Sequence, residues 1–284
     1  MSFLRYLPDY PSVNYLISCI TQLIYSIKEK LLIKVYRIQY GDFLFNKKNP
    51  LISVYVPTFN RGDVLMSRAI PSVLNQTYKN FEFIILDDGS TDNTGELVSR
   101  LNDPRIKYIK IDRKGYRYPN KSIYHWLTGP VIAANAALLS VKGDWIARID
   151  DDDEWTIDHL SGLLNFAING NFEFVSSHLK MIEGSGVERV VTAFDNPQDP
   201  TGIGGTQTWL YRNYLGRFRY NINCWRKSYF KVNDTDLQFR IYNSGARIGY
   251  LEQITAIIKP RPDEDFIGSK AYLNSPEKYE KFYE

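Results

Sequence analysis

From residue 51 onward, short apolar runs rich in Val, Ile, Tyr and Phe alternate with stretches whose apolar positions recur every three or four residues. Short apolar runs bounded by turn residues predict strands, and three-to-four spacing predicts helices. The alternation therefore predicts βαβ units and a largely parallel sheet flanked by helices, an α/β fold. In order, the pattern gives a buried strand at 51–57, a helix at 68–74, a strand at 81–89 and a helix at 94–101. A strand at 106–112 and a helix at 130–139 follow, leading into a strand at 145–153. Beyond 156 the regularity weakens to a helix near 157–169, a strand near 172–177, a Gly/Pro-containing stretch at 195–205 and a helix over 234–244.

The first 48 residues follow a different rule. Residues 10–27 carry no charge, which approaches the length of a membrane span, but Pro11, Ser12, Asn14, Ser18, Thr21, Gln22 and Ser26 interrupt them. No small-residue cleavage pattern follows, so a leader peptide is not expected either. Ile17, Ile20, Ile24, Ile27, Leu31, Val35 and Ile38 recur at steps of three and four, accompanied by Lys28, Lys30, Lys34 and Arg37. This spacing predicts an amphipathic helix, which either packs on the domain or a partner or lies in the plane of an anionic membrane through residues 10–40. The expected organisation is a helical arm over 1–48, one α/β domain over 49–260, and a tail or lid over 261–284.

With 284 residues and 44% hydrophobic content, the chain can bury one sizeable core. The net charge of +3, without a long Lys/Arg run in the central region, gives no reason to expect a nucleic-acid partner. Cys19 and Cys224 lie far apart without CxxC spacing, so they read as buried small side chains in a reducing, cytoplasmic setting rather than as a disulfide or zinc site.

Ligands of open α/β sheets bind beyond the carboxyl ends of the strands, and there the polar residues collect. The first strand ends in Thr58, Asn60 and Arg61, the second in Asp87 and Asp88, and the fourth in Asp150, Asp151, Asp152 and Asp153. Four successive carboxylates repel one another and raise their own pKa values unless a cation is shared, and oxygen-only ligands favour Mg²⁺ or Mn²⁺. Asp88, Ser90 and Asp92 do not make a calcium loop, because Asn93 stands where Gly is needed and Ser99 where Glu is needed. The first strand runs into VPTFNR without GxGxxG, so the glycine cradle of a dinucleotide fold is missing.

VPTFNR, NQTYKNFEFIILDDGSTDNT, ANAALLSVKGDWIARIDDDDEW and NDTDLQFRIYNSGARIGYL, in this order and spacing, resemble family 2 glycosyltransferases of the GT-A fold, over about residues 52–251. The resemblance implies an inverting, metal-dependent transfer of a sugar from a nucleotide-sugar donor, UDP-sugars favoured, to a carbohydrate or lipid-linked glycan acceptor. It implies that Pro57, Thr58, Asn60, Arg61, Asp87, Asp88, Asn135, Asp150 and Asp151 hold the donor, with Thr58 and Asp88 at the nucleobase and ribose. Asp150 and Asp152 resemble the DxD carboxylates, with Mn²⁺ or Mg²⁺ on Asp152 directly. Asp234 falls where the family places its base, with Arg240 following on the same helix and Asp236 as the rival. The chain departs from the pattern at Asn233, where the family has Glu, and at Ala133 and Ala134, where an arginine is common. Arg117 or Lys121 of the basic, aromatic 114–126 segment, and Lys259 or Arg261 of the tail, are candidate phosphate contacts. One or two of Trp209, Tyr211, Tyr214, Phe218, Tyr220 and Trp225 are expected against the acceptor. The competing readings are a polyprenyl-phosphate sugar synthase of the same fold and a catalytically inactive glycan- or nucleotide-binding protein.

Overall fold

The structure is a computed structural model that describes residues 4, 7–40, 47–112, 117–119, 121–194, 200–226, 232–262 and 264–274. Its helices are α1 (Pro11–Tyr40), α2 (Gly62–Ser67), α3 (Ala69–Leu74), α4 (Thr94–Ser99), α5 (Ser122–Thr128), α6 (Val131–Ser140), α7 (His159–Asn169), α8 (Asn233–Asn243) and α9 (Ser269–Asn274). Its strands are β1 (Ile52–Thr58), β2 (Phe81–Asp87), β3 (Ile106–Lys110), β4 (Trp145–Arg148), β5 (Asp153–Trp155), β6 (Phe174–Ile182), β7 (Glu188–Val191), β8 (Trp209–Arg212) and β9 (Ile248–Ile258).

Among the described residues the strands form one sheet in the order β3-β2-β1-β4-β8-β6-β9-β5, with β7 added along the end of β6. The β3-β2-β1-β4 half is parallel throughout. The other half is mixed: β8 runs antiparallel to both β4 and β6, β9 runs parallel to β6, and β5 runs antiparallel to β9. Strands β7, β8 and β9 are the ones the sequence pattern left unread, and β9 is the longest of them. The exposed centre of β9 (Glu252, Gln253, Ile254) breaks the apolar run, and a β-bulge against His178 re-sets the register there.

Burial explains why the parallel strands read as continuous apolar runs. Every residue of β1 is buried, since helices cover both faces. Ile52, Val54 and Val56 pack with Phe83, Ile85, Trp145 and Ala147 against Leu65, Val73, Leu160 and Leu163 of α2, α3 and α7. Tyr55, Ile84, Leu86 and Ile146 face the opposite way, onto Val131, Ala134 and Ala137 of α6 and Leu237 and Ile241 of α8. Gly143 permits the chain to enter β4, because a Cβ there would lie 2.5 Å from the Ser53 amide nitrogen.

Helix α1 packs on the domain. Ile17, Thr21, Glu29 and Ile33 are buried against it, and the Arg37 guanidinium donates to both carboxylate oxygens of Glu173 at 2.9 and 2.5 Å. Tyr36 stacks on Tyr214 at 5.4 Å. Among the described residues no helix is long and apolar enough to cross a membrane. Cys224 is buried as expected, but Cys19 is exposed, because it stands on the side of α1 turned away from the domain.

Candidate active site

Parallel register sets the site. Thr58 pairs with Asp87 and Tyr55 with Arg148, so the residues after these strands emerge on one rim. The run expected as one strand over 145–153 is divided: β4 stops at Arg148, the chain turns through Asp151 and Asp152, and β5 begins at Asp153. Four carboxylates cannot sit evenly in a buried strand, and the turn lets Asp150, Asp151, Asp152 and Asp153 all line one cavity of about 460 Å³. Pro57, Thr58, Arg61, Asp88 and Asp234 line the same cavity, so the strand tips and the first turn of α8 converge.

Each acid of the turn is held differently. Asp150 Oδ1 accepts from Arg148 Nε at 3.0 Å and Nη2 at 2.7 Å. Asp151 accepts from the Thr58 hydroxyl at 2.8 Å and from Arg61 at 3.0 Å. Burial raises the Asp151 pKa, and the charge on Arg61 only partly opposes this. Asp152 Oδ2 lies 3.7 Å from both Arg61 and Arg261. Its backbone carbonyl accepts from Arg68 at 2.9 Å, and Arg68 also donates to Pro260 O at 2.7 Å, tying the turn to the chain leaving β9. Asp153 is buried, and desolvation together with Asp152, Asp150 and Asp151 pushes its pKa well above the usual carboxylate range.

Of the residues expected to hold the donor or the metal or to act as base, four lie outside the cavity lining. Asn60 (φ 51°) accepts from the Thr91 amide at 2.7 Å and organises the loop after β2. Asp87 accepts from the Ser90 amide at 2.6 Å and from the Tyr108 hydroxyl. Asn135 clasps the Tyr220 backbone through two hydrogen bonds of 3.0 and 2.8 Å. Asp236 is 1% exposed and pairs with Arg240 Nε at 3.0 Å, and Arg240 in turn pairs with Glu29 of α1. In each case a backbone amide or a guanidinium takes up the polar group, which a one-dimensional pattern cannot show.

Asp234 does face the cavity, half-buried in the first turn of α8, with its Oδ1 accepting from the Thr235 amide at 2.7 Å. Burial raises its pKa, which favours a carboxylate able to take a proton. The same cavity is also lined by His125 and Trp126 from α5, Val232, Phe266, Ile267 and Tyr272. The aromatic cluster corrects an expectation: Trp209, Tyr211, Tyr214, Phe218, Tyr220 and Trp225 are all buried and none lines the cavity. The first five pack in the cluster that also holds Leu237 and Ile241 of α8, and Trp225 packs with Tyr118 and Leu127 beside α5, so their area goes into the core.

Of the basic candidates, Arg117 donates to Asp88 Oδ2 at 2.5 Å, whereas Lys121 turns to Asp9 at 3.2 Å. Lys259 pairs with Glu154 at 2.8 Å and Arg261 with Glu264 at 2.6 Å, and both lysine and arginine line the cavity. Arg148, Gln207 and Trp126 escaped the sequence reading. For Arg148 the signal was present: a cation inside the apolar run Trp145–Arg148 is costly to bury unless it holds an anion.

The sequence profile of glycosyl transferase family 2 matches residues 53–242, from β1 to the end of α8. The chain belongs to glycosyl transferase family 2. Within the family it is 30% identical over 178 residues to WfgD of Escherichia coli, a UDP-Glc:alpha-D-GlcNAc-diphosphoundecaprenol beta-1,3-glucosyltransferase, covering 60% of this chain and 64% of WfgD. It is 38% identical over 123 residues to the GalNAc(5)-diNAcBac-PP-undecaprenol beta-1,3-glucosyltransferase of Campylobacter jejuni, covering 43% of this chain and 36% of that one. The chain thus spans less than two thirds of the length of either relative. Among solved structures, S. aureus TarS 1-349 in complex with UDP-GlcNAc superposes with a TM-score of 0.59 at 20% identity, over 75% of this chain and 60% of TarS 1-349. The Pyrobaculum calidifontis mannosyltransferase PcManGT, in complex with GDP-Man and Mn²⁺, gives 0.55 at 15% identity, over 91% of this chain and 71% of its own. These two likenesses show the GT-A fold of the family 2 chain, a mixed α/β domain with helices on both sheet faces.

Proposed function

We propose that this chain is an inverting glycosyltransferase that moves a sugar from a nucleoside-diphosphate donor, a UDP-sugar by preference, to a hydroxyl of a lipid-linked glycan during polysaccharide assembly. The observation that carries the reading is the single cavity in which Thr58, Asp88, Asp150 and Asp152 stand with Asp234. The names of the relatives, which act on diphosphoundecaprenol-linked sugars, support the choice of acceptor.

The donor lies along the strand tips, its nucleoside at Thr58 and Asp88 and its diphosphate over Asp150 and Asp152. Arg61 and Thr58 fix Asp151, which keeps the acidic turn in place. Asp234 takes the proton of the acceptor hydroxyl as that oxygen bonds to the anomeric carbon, and the bond from this carbon to the diphosphate oxygen breaks. Asp236 keeps α8 in register through Arg240 rather than serving as the base. Arg261 stands 3.7 Å from Asp152 and supplies positive charge where the leaving diphosphate gathers negative charge.

The donor set of the turn fits Mn²⁺ or Mg²⁺. Among the described residues no cluster of three His, Cys, Asp or Glu side chains forms a ready-made cage. A hard cation of this size uses one or two carboxylates and completes its shell with substrate phosphates and water. Asp152 would hold it directly and Asp150 beside it, and when bound it supplies Lewis-acid stabilisation of the leaving group. We assign the catalytic unit to 49–260, with 1–48 as a helical arm and 261–284 as a tail or lid. A donor-panel hydrolysis assay with and without Mn²⁺ tests the reading. Metal-stimulated release of a nucleoside diphosphate from one donor is expected, and no release from any donor overturns it.

A further inference from the structure

The sugar-transfer chemistry makes no use of one feature of α1. Its inner face is fully engaged: Glu29 pairs with Arg240, the Arg240 guanidinium lies 4.3 Å over the Tyr25 ring, and Arg37 pairs with Glu173 at 2.5 Å. The outer face carries Leu16, Ile20, Leu23, Ile27, Leu31 and Ile38, between 43% and 86% exposed. Spaced three to four residues apart or in multiples of that spacing, they make a continuous apolar stripe about 33 Å long at 1.5 Å per residue. A stripe of this length facing water marks an interaction surface rather than scattered exposure.

The charges on the helix say what covers it. Lys28, Lys30 and Lys34 are exposed, while Glu29, the one carboxylate between residues 11 and 40, is turned inward and ion-paired. The outer side is therefore apolar with cationic flanks and no exposed anion. Helices that pair with other helices flank their seam with both signs, whereas helices lying in a lipid interface flank it with lysine and arginine. Among the described residues no helix is long and apolar enough to cross a bilayer.

We propose that the outer face of α1 docks in the plane of an anionic lipid bilayer and holds the acceptor side of the cavity against the headgroups. The second half of this statement rests on the lipid-linked acceptor proposed above. The link is structural: Asp9, just before α1, accepts from Lys121 at 3.2 Å and from the Tyr124 hydroxyl at 2.9 Å. Tyr124 belongs to α5, whose His125 and Trp126 line the cavity. At its middle, α1 meets α8, the helix of Asp234, through Glu29 and Arg240.

Flotation of the full chain with phosphatidylcholine vesicles, with and without phosphatidylglycerol, tests this without donor or acceptor present. The chain is expected to float with the anionic vesicles and to be released by salt. The combined substitution Leu23→Ser, Ile27→Ser and Leu31→Ser is expected to weaken binding about tenfold or more, since each removes apolar area from the face that would meet the lipid. The combined substitution Lys28→Glu, Lys30→Glu and Lys34→Glu should abolish the preference for anionic vesicles. All six positions are solvent-facing, and unchanged circular dichroism and melting verify that both variants fold. Equal binding of the wild type to both vesicle types overturns the proposal. So does a wild-type dimer that the serine variant converts to a monomer, which would place a second copy on this face. Failed flotation with intact transfer to a detergent-solubilised lipid-linked acceptor rejects the docking and keeps the transferase reading. Flotation without transfer to any acceptor keeps the docking and rejects the other.

Discussion

The proposed donor side and the proposed acceptor side of the cavity are built by different means. On the donor side, Thr58, Asp88 and the acidic turn follow parallel strands whose register aligns their ends, and Asp150 and Asp151 are already fixed by Arg148, Arg61 and Thr58. On the proposed acceptor side, Asp234 stands in the first turn of α8, which is bonded to α5 through Asn233 and Leu127, segments brought together by packing rather than by a ladder. Strand register and these hydrogen bonds position the carboxylates of the proposed donor side without substrate, which suits stabilisation of a charge that grows on the diphosphate. The acceptor side depends on how α8 and α5 are held, and so on contacts as distant as Glu29 and Asp9 in and before α1.

The strongest way to break this division is Asp234→Asn. Turnover is expected to fall about 10³-fold, within the range of lost general-base catalysis, while calorimetry shows donor affinity unchanged. Retained turnover would move the base elsewhere. Asp152→Ala is the converse: donor affinity in the presence of Mn²⁺ should drop about 100-fold or more, at least what loss of an outer-shell partner costs. Wild-type affinity in that variant would remove the acidic turn from the donor site.

Asp236→Asn separates the two acids of α8. It removes one carboxylate from the buried Arg240 and should destabilise the fold by about 3 kcal/mol in denaturant melts, as loss of one partner of a buried pair does. The folded fraction should keep its turnover, and a loss comparable to that of Asp234→Asn would exchange their roles. The smallest effect sharpens the same point through pH. Asp234 must be ionised to accept a proton, and burial raises its pKa above the usual 3.8. The ionised fraction, and with it kcat, should therefore decline as pH falls through a value above 3.8, and a limb at or below that value would contradict a buried base.

Much of this was legible in the sequence. The apolar runs of β1, β2 and β4 and the polar residues that follow them specify a sheet and its functional rim, because strand pairing and strand-end chemistry are local patterns. The order of VPTFNR, LDDGSTDNT and RIDDDDEW also pointed to the family whose profile matches 53–242. Less legible was the use of each polar side chain. Asn60, Asp87 and Asn135 carry the right chemistry at the right strand ends or helix, yet their hydrogen bonds go to backbone and tyrosine groups next to the site. The six aromatics of 209–225 misled for the same reason, since an aromatic ring suits a sugar face and a core equally well.

By itself, then, the sequence determined the alternation of strands and helices, the carboxylates at the strand ends, and the amphipathic arm, because periodicity and turn chemistry act over a few residues. Only the tertiary structure decided that α1 buries Glu29 against Arg240 and leaves its leucines and isoleucines outside, and that Asp236 is spent on the same arginine while Asp234 opens to the cavity. Two carboxylates two residues apart on one helix differ by about half a turn in direction, and which of them meets a cation and which meets a cavity is set by the elements packed around the helix.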